Sequence, residues 1–499
     1  MSKSTITISL ISHTNVGKTT LARTLLRRDI GEVRDQPHVT TVSEAHVLIE
    51  TAFARLLLWD TPGFGDSVRL LARLRREREP VGWLLHQVWD RIADRSLWCS
   101  QEAVRNVREH ADVVVYLVNA AEDPEAAGYL APEMELLAWL DKPVVVVLNQ
   151  IRTDSGRDDG PASAPAVSSW RSHLARFRIV RDVLPLDAFG RVWMQESLLF
   201  DRVAQLLEGN DRDTMAALAR AWDERNAGVL VQSIDAMAAY LAEIAADREP
   251  LHAYAGGGIL GGVLLPRIVR DLRDASRLDR KRAIGVLFDR AQVATGRLMD
   301  RLIAAHELSG ASKACIERRI ADVALPRNEA INPTTGALAG SVISGALTGV
   351  GADLLSGGLS FGAGAVVGGL AGLVGGYTLG SAYRLAISGR EPAVGWQLAA
   401  LDRFVVETLL RYLAVAHFGR GRGAYSDVTH SAYWEAGVKD VLGGRRRALH
   451  AAWRGAATGG DAGRSAAESR LRDVLGQALR EVLARHYPDA RVPPPLSGP

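Results

Sequence analysis

The sequence predicts an α/β domain with a mostly parallel sheet, followed by an all-α region that contains a glycine-rich helical hairpin. Up to about residue 210, short apolar runs rich in β-branched residues alternate with helical patterns. This order is typical of a parallel sheet covered by helices. Beyond that point Ala, Leu and Glu recur at helical spacing. Glycine, with 48 of the 499 residues, is concentrated in one almost uncharged stretch.

The composition excludes several classes of protein. With 47% apolar residues and a mean hydropathy of +0.01, the chain can bury several cores, which excludes a disordered tail. Its two cysteines exclude a disulfide scaffold and a Cys-rich zinc module. The net charge of +3 gives no sign of a nucleic-acid partner. Because no secretory signal is visible, we expect a cytoplasmic location, with peripheral attachment to or insertion in the inner membrane as a further possibility.

The first strand and helix predict a phosphate-binding P-loop between them. Residues 4–11 form an apolar strand, residues 12–19 are Ser-His-Thr-Asn-Val-Gly-Lys-Thr, and a helix follows over 18–28. Backbone N–H groups of such a loop cradle phosphate oxygens, while Lys18 reaches the β and γ phosphates and Thr19 holds Mg2+. Ser12 replaces the usual first glycine, and His13 is expected to be a solvated loop residue. The predicted nucleotide-binding residues of the loop are Ser12, Thr14, Asn15, Val16, Gly17, Lys18, Thr19 and Thr20.

A second motif follows two predicted strands at about 45–50 and 55–59. Asp60-Thr61-Pro62-Gly63 stands where nucleotide-hydrolysing P-loop proteins have an Asp linked to Mg2+ and a Gly that senses the γ-phosphate. Upstream, Thr40 and Thr41 lie in a polar segment at the position of switch I. The motif therefore predicts Asp60 as a second metal ligand and Gly63 as a phosphate contact.

The rest of the domain is predicted to hold strands at 113–118, 143–148 and 180–186, and a closing helix at 195–208. Asn149 and Gln150 end the second of these strands, where GTPases place the Asn that binds guanine.

The segment around Trp98 and Cys99 is longer than a simple nucleotide-binding domain needs. We predict that it covers the sheet as a helix, with a switch-coupled lever as the alternative.

On these motifs, the first 208 or so residues resemble the TrmE–Era class of bacterial GTPases, and the fold implied is that of a P-loop NTPase. Asn15-Val16-Gly17-Lys18 matches the Asn-x-Gly-Lys of that class, and Thr41 lies 19 residues before Asp60, as its switch I Thr does. The resemblance implies binding of GTP and GDP with Mg2+, a third metal ligand at Thr41 (Thr40 is the weaker choice) and slow intrinsic hydrolysis. In some members the counterpart of Asn15 binds K+, so Lys18, Asn15 and Thr41 become the candidate catalytic residues; the alternative for Asn15 is a turn residue.

Two departures from the class concern base recognition and catalysis. The Asn-Lys-x-Asp motif is replaced by Asn149-Gln150-Ile151-Arg152, and Arg152 cannot accept the hydrogen bonds that the missing Asp takes from guanine. We therefore expect weaker guanine selectivity. Ala188 follows the last strand where the class has a backbone contact to guanine. Phe64 stands where Ras-like enzymes have a water-orienting Gln.

The glycine-rich stretch predicts a tight helical hairpin. Five glycines recur at intervals of four from Gly364 to Gly380, and small residues recur at the same interval over 336–352. Such a glycine zipper lets two helices approach closely. Residues 330–352 and 359–383 each exceed the roughly 20 residues that span a bilayer. The hairpin is predicted to insert into a membrane, and the alternative is burial in a protein core.

The predicted organisation is a GTPase domain, a helical domain, the hairpin, a C-terminal region that is helical from 391, and a disordered tail. The function predicted is a GTP-hydrolysing switch that associates with a membrane through the hairpin. The alternative is a soluble Era-like regulator that binds RNA or a protein assembly partner. Expected partners are guanine nucleotide, membrane lipid and a second copy of the chain, through the GTPase domain or the glycine-rich helices. The arginine clusters lack interleaved aromatic residues, which argues against nucleic acid. The GTPase domain is predicted to span 1–210, the helical domain 211–329, the hairpin 330–386, the C-terminal region 387–487 and the tail 488–499.

Overall fold

The chain divides into two compact units in the computed structural model. The first comprises Met1–Gly228 with Ala416–Thr429 and Leu483–Pro499, and the second comprises Val229–Val415 and His430–Val482. The structure describes residues 3–14, 16–28, 43–80, 82, 84, 95–149, 164–186, 191, 193–252, 266–308, 383–388, 391–418, 428–487 and 492.

The first unit is built on a six-stranded sheet. Its order is β2-β3-β1-β4-β5-β6, in which β2 is antiparallel to β3 and all other neighbours are parallel. The elements are β1 Ser4–Ser12, α1 Lys18–Leu26, β2 Glu44–Glu50, β3 Ala54–Asp60, α2 Ser67–Leu74, α3 Arg95–His110, β4 Val113–Asn119, α4 Leu130–Ala138, β5 Val144–Asn149, α5 Ala164–Leu174, β6 Val180–Pro185, α6 Trp193–Leu206 and the start of α7 Gly209–Ala246.

Apolar side chains on the two faces of this sheet form two separate cores. On one face Ile6, Ile8 and Leu10 of β1 pack with α1, α6 and the start of α7. On the other face Tyr116 of β4 and alternate residues of β5 pack with α2 to α5. Helices on both faces of a mostly parallel sheet are the arrangement that the sequence predicts, and the strands fall within two residues of their predicted bounds. The predicted fold class of the N-terminal domain is thus confirmed.

The second unit is mostly helical, and it also contains a small antiparallel sheet of order β7-β9-β8. The prediction of helix from residue 391 onward is wrong at its start, because Glu391–Trp396 is a strand. Pro392 and Gly395 disfavour a helix there, and pairing with strands on both sides satisfies the backbone. The elements are the end of α7, β7 Arg248–Pro250, α8 Pro266–Ala305, β8 Tyr383–Ser388, β9 Glu391–Trp396, α9 Leu398–Ala416, α10 Val428–Gly443, α11 Arg446–Thr458 and α12 Gly460–His486.

The part of the chain predicted to associate with a membrane is almost entirely outside the described residues. Residues 309–382, which hold all but the end of the predicted hairpin, are outside them, as is the apolar run 253–265. The predicted end of the hairpin at 383–386 is wrong, because these residues belong to strand β8, which pairs with β9. Among the described helices, α7 is the one long and apolar enough to cross a bilayer, and 56% of its most apolar window is buried in the protein. Core helices of soluble proteins have the same properties, so α7 gives only weak evidence for a membrane span.

Candidate functional site

The loop between β1 and α1 has the backbone geometry of a phosphate cradle. β1 ends at Ser12, and Gly17 caps α1 with φ of 96°, a left-handed conformation that favours glycine. A β-carbon at Gly17 would also lie 2.7 Å from Nδ2 of Asn149. The first N–H groups of α1 have no partner within the helix and carry its positive end, so an anion is stabilised there.

Lys18 is buried at the start of α1, with 8% of its surface exposed. Its Nζ donates a 2.9 Å hydrogen bond to Oγ of Ser12. Burial lowers the pKa of Lys18, and the nearby carboxylates of Asp60 and Glu133 oppose that effect. The structure thus places a buried ammonium beside the loop, and the role of Lys18 in contacting phosphate stays a prediction.

Thr19 and Asp60 come together as the sequence predicts. Oγ1 of Thr19 donates a 2.7 Å hydrogen bond to Oδ2 of Asp60, and Asp60 is 3% exposed. Its other oxygen, Oδ1, is buried and has no hydrogen-bond partner among the described residues. Burial raises the pKa of Asp60 to about 6, although the Thr19 hydrogen bond and the Lys18 charge lower it. A hydroxyl and an unpartnered carboxylate oxygen side by side fit Mg2+, which prefers oxygen ligands.

Gly63 lies against the loop. A β-carbon on it would be 2.9 Å from Nζ of Lys18 and 3.3 Å from the carbonyl oxygen of His13, so the close approach requires glycine. The next residue, Phe64, is fully buried and donates its N–H to the carbonyl of Ser12 at 2.9 Å. The Asp60–Gly63 motif therefore adjoins the P-loop, where a γ-phosphate would be sensed.

Asn149 lies at the end of β5, next to the same loop. Its side chain is fully buried, and Nδ2 donates a 2.7 Å hydrogen bond to the carbonyl of Val16. Val16 and Thr20 are buried, whereas Thr14 is half-buried. Five predicted site residues lie outside the described residues, namely Asn15, Thr40, Thr41, Gln150 and Ala188. Arg152 also lies outside them.

The structure corrects the expectation for His13. Its ring is not simply solvated, because Nδ1 lies 2.7 Å from Oε1 of Glu133 and the ring stacks on Tyr129 with centroids 4.3 Å apart. Glu133 is fully buried and also accepts a hydrogen bond from the hydroxyl of Tyr116. Burial raises the pKa of Glu133, and the bond to His13 opposes that effect. Glu133 and Tyr129, on and just before α4, were missed from the sequence because no local pattern marks a contact across 120 residues.

Helix α3 covers the sheet, as predicted for the segment around Trp98 and Cys99. Leu97 and Val104 are buried in the core on that face. In addition, the helix contacts the residues that follow Gly63. The N–H of Gly65 donates to Oγ of Ser100 at 3.2 Å, and the N–H of Asp66 donates to Oγ of Ser96 at 2.9 Å.

Part of the chain matches a known protein family. Residues 7–150 match a family described as 50S ribosome-binding GTPase. No curated protein matches the chain. A structure of Era with MgGDPNP and a segment of 16S ribosomal RNA is 19% identical, covers 42% of this chain and 59% of that chain, and has a TM-score of 0.31.

Two further structures have similarly low identity. Aquifex aeolicus Era bound to GDP and AlF4- is also 19% identical, over 42% of this chain and 58% of that chain, with a TM-score of 0.31. The mGMPPNP-bound NFeoB from S. thermophilus is 14% identical, over 59% of this chain and 97% of that chain, with a TM-score of 0.25. The chain thus spans about 59% of the length of the Era chain it matches. The family match and the P-loop fold together identify residues 7–150 as a P-loop GTPase domain, a class of domain that binds and hydrolyses GTP.

Proposed function

We propose that the chain is a Mg2+-dependent switch whose nucleotide state controls its attachment to a membrane. The observation that carries the switch is the position of Gly63, which adjoins Lys18 on one side and leads into Gly65 and Asp66 on the other. Loss of the γ-phosphate would remove the contact of Gly63 and so change the segment that α3 holds.

Each residue of the site has a role in hydrolysis under this proposal. Lys18 and the N-terminus of α1 bind the phosphate oxygens and neutralise charge that builds on them. Thr19 and Asp60 would hold Mg2+, with Thr41 as a third ligand, and the metal would neutralise charge between the β and γ phosphates. Because Phe64 cannot orient water, a K+ ion bound by Asn15 would supply further positive charge, and turnover would be slow.

Base recognition would rest on Asn149, with Gln150 and Ala188 nearby in the chain. Asn149 is well placed for this role because its side chain is fixed by the carbonyl of Val16. Arg152 offers no acceptor to guanine, so discrimination between GTP and ATP would be smaller than in a site with the usual Asp. Competition by ATP for bound GTP tests this part of the proposal.

Membrane attachment would be made by the glycine-rich hairpin within 330–382, because residues 383–386 belong to strand β8. Its support is the sequence pattern, in which two long uncharged segments with small faces are followed by Arg384 and Arg390. A second candidate is a soluble regulator with the hairpin buried. The description of the matched family as ribosome-binding favours it and would make ribosomal RNA or an assembly protein the partner.

Flotation with anionic liposomes tests membrane attachment. We expect the wild-type chain to float in one nucleotide state, GDP-bound or bound to a non-hydrolysable GTP analogue, more than in the other. Gly372→Asp places a charge within the hairpin and should abolish flotation. Gly128→Asp adds the same charge at an exposed glycine with nothing within 4 Å and should not. If the wild type floats in no state, the membrane proposal fails, and co-sedimentation with 50S subunits then tests the second candidate.

A further inference from the structure

Ser12 occupies the position at which the usual P-loop motif has glycine, and its hydroxyl contacts the phosphate-binding lysine. Ser12 is fully buried, and its Oγ accepts the 2.9 Å hydrogen bond from Nζ of Lys18. A glycine there would leave the ammonium without this acceptor. We propose that Ser12 is a positioning residue for Lys18 in GTP hydrolysis.

The Ser12 hydroxyl has a fixed orientation. Its own proton is donated to the carbonyl oxygen of His13, so a lone pair of Oγ faces Lys18. A hydroxyl has one proton and two lone pairs, so this direction is set by the acceptor that takes the proton. The direction of the Lys18 bond thus depends on where the His13 carbonyl lies.

The His13 carbonyl is held in turn by contacts of the His13 side chain and backbone. The ring stacks on Tyr129 at an interplanar angle of 15°, and Nδ1 lies 2.7 Å from the buried carboxyl of Glu133. The backbone of His13 forms a bridge with Phe64. Three contacts therefore fix the residue that orients Ser12: two are with residues on and just before α4, and the third is with Phe64.

Positioning matters for this lysine because its four-carbon stem has many rotamers and its charge is buried. A fixed acceptor at one end of the ammonium selects one rotamer and leaves two N–H donors for phosphate oxygens. Such pre-organisation lowers the barrier only if it persists in the transition state. The inference rests on GTP hydrolysis at this loop and is independent of any membrane attachment.

Two substitutions of Ser12 test the inference, because they are expected to rank differently in activity and in stability. Ser12→Ala removes the acceptor and leaves no room for water, so kcat/KM for GTP should fall about tenfold, as for a lost hydrogen bond to a charged group. Ser12→Gly leaves room for a water molecule that can accept from Lys18, so its kcat/KM should lie between those of the wild type and Ser12→Ala. Ser12→Gly should instead have a lower melting temperature than Ser12→Ala, because glycine loses more conformational entropy on folding than alanine does.

Ser9→Ala is the matched control. Ser9 is a buried serine of the same strand, and its hydroxyl bonds Asn106 at 2.6 Å and not Lys18. Its substitution should lower the melting temperature and leave kcat/KM at the wild-type value. The inference is overturned if Ser12→Ala keeps wild-type kcat/KM, or if activity follows melting temperature across all three variants. Absence of turnover in the wild type would instead refute hydrolysis itself.

Discussion

Thr19 donates a 2.7 Å hydrogen bond to one carboxylate oxygen of Asp60, and the other oxygen of that carboxylate is buried without a partner among the described residues. Thr19 is the second residue of α1 and Asp60 is the last residue of β3, so the contact joins two motifs that are 41 residues apart. In the absence of a metal, the buried carboxylate carries an incompletely compensated charge.

That charge predicts a pH-dependent stability of the metal-free protein. Burial raises the pKa of Asp60 from 3.8 to about 6. The protonated form is thus favoured in the folded state, and its stabilising contribution is lost as the pH rises through about 6. Asp60→Asn should therefore raise the free energy of unfolding by about 2–3 kcal/mol at pH 7.5 and by little at pH 4.

Urea unfolding without Mg2+ or nucleotide, at both pH values, checks this prediction. Asp141→Asn removes a charge of the same sign at an exposed site and should have little effect at either pH. An equal gain for Asp60→Asn at pH 4 and pH 7.5 would contradict the proposed cause.

The contact between Gly63 and the P-loop predicts a loss of activity on adding one methyl group. In Gly63→Ala the new carbon would lie 3.2 Å from Cα of Thr14 and 2.9 Å from Nζ of Lys18, so the loop must shift by a few tenths of an ångström. We expect the single-turnover rate of GTP hydrolysis to fall by about tenfold or more, since small displacements in a catalytic site are costly. Gly128→Ala, with nothing within 4 Å, should hydrolyse GTP at the wild-type rate.

The hydrogen bonds from α3 predict the local stability of the segment after Gly63. Ser96→Ala and Ser100→Ala remove the acceptors for the N–H groups of Asp66 and Gly65. Each bond contributes about 0.5–1.5 kcal/mol, so amide exchange at these residues should accelerate by about two- to tenfold. Hydrogen exchange followed by mass spectrometry measures the effect. Unchanged exchange at both positions in the double variant would mean that α3 does not hold this segment.

A buried ion pair predicts a different response to single and double substitution. Arg191 donates from Nε and Nη2 to the two carboxylate oxygens of Glu196, at 2.6 and 2.9 Å, and both residues are at most 5% exposed. Glu196→Gln leaves the guanidinium charge uncompensated and should destabilise the first unit by about 3–5 kcal/mol. The double variant R191M/E196L should recover most of that loss, because an apolar pair of similar size avoids the cost of burying charge. Denaturant unfolding compares the three proteins, and a double variant as unstable as the single one would contradict the argument.

The parts of the fold and site that follow a local pattern are the parts that the sequence predicts. Buried strands such as Val144–Asn149 are continuous apolar runs, and the P-loop and Asp60–Gly63 are short motifs with a fixed chemistry. The strand Glu391–Trp396 was missed because its stability comes from pairing with two other strands, one of which is more than 100 residues away in the chain.

The contacts of His13 and Ser12 could not be predicted for a related reason. The partner of His13 is on α4, and a motif comparison treats the residue between Ser12 and Thr14 as variable. The sequence shows that Ser12 stands where the usual motif has glycine. The consequence of this replacement depends on the position of the Lys18 ammonium, and only the folded loop determines that position.

The hydrogen bond from Asn149 to the carbonyl of Val16 would fix the distance between the proposed base contact and the proposed phosphate cradle. It ties the end of β5 to the loop that binds phosphate, so their separation does not depend on a ligand drawing them together. Nucleotide binding then loses little conformational entropy in this part of the protein. A fixed separation also selects ligands by length, because a molecule too short to reach from Asn149 to Lys18 can use only one of the two.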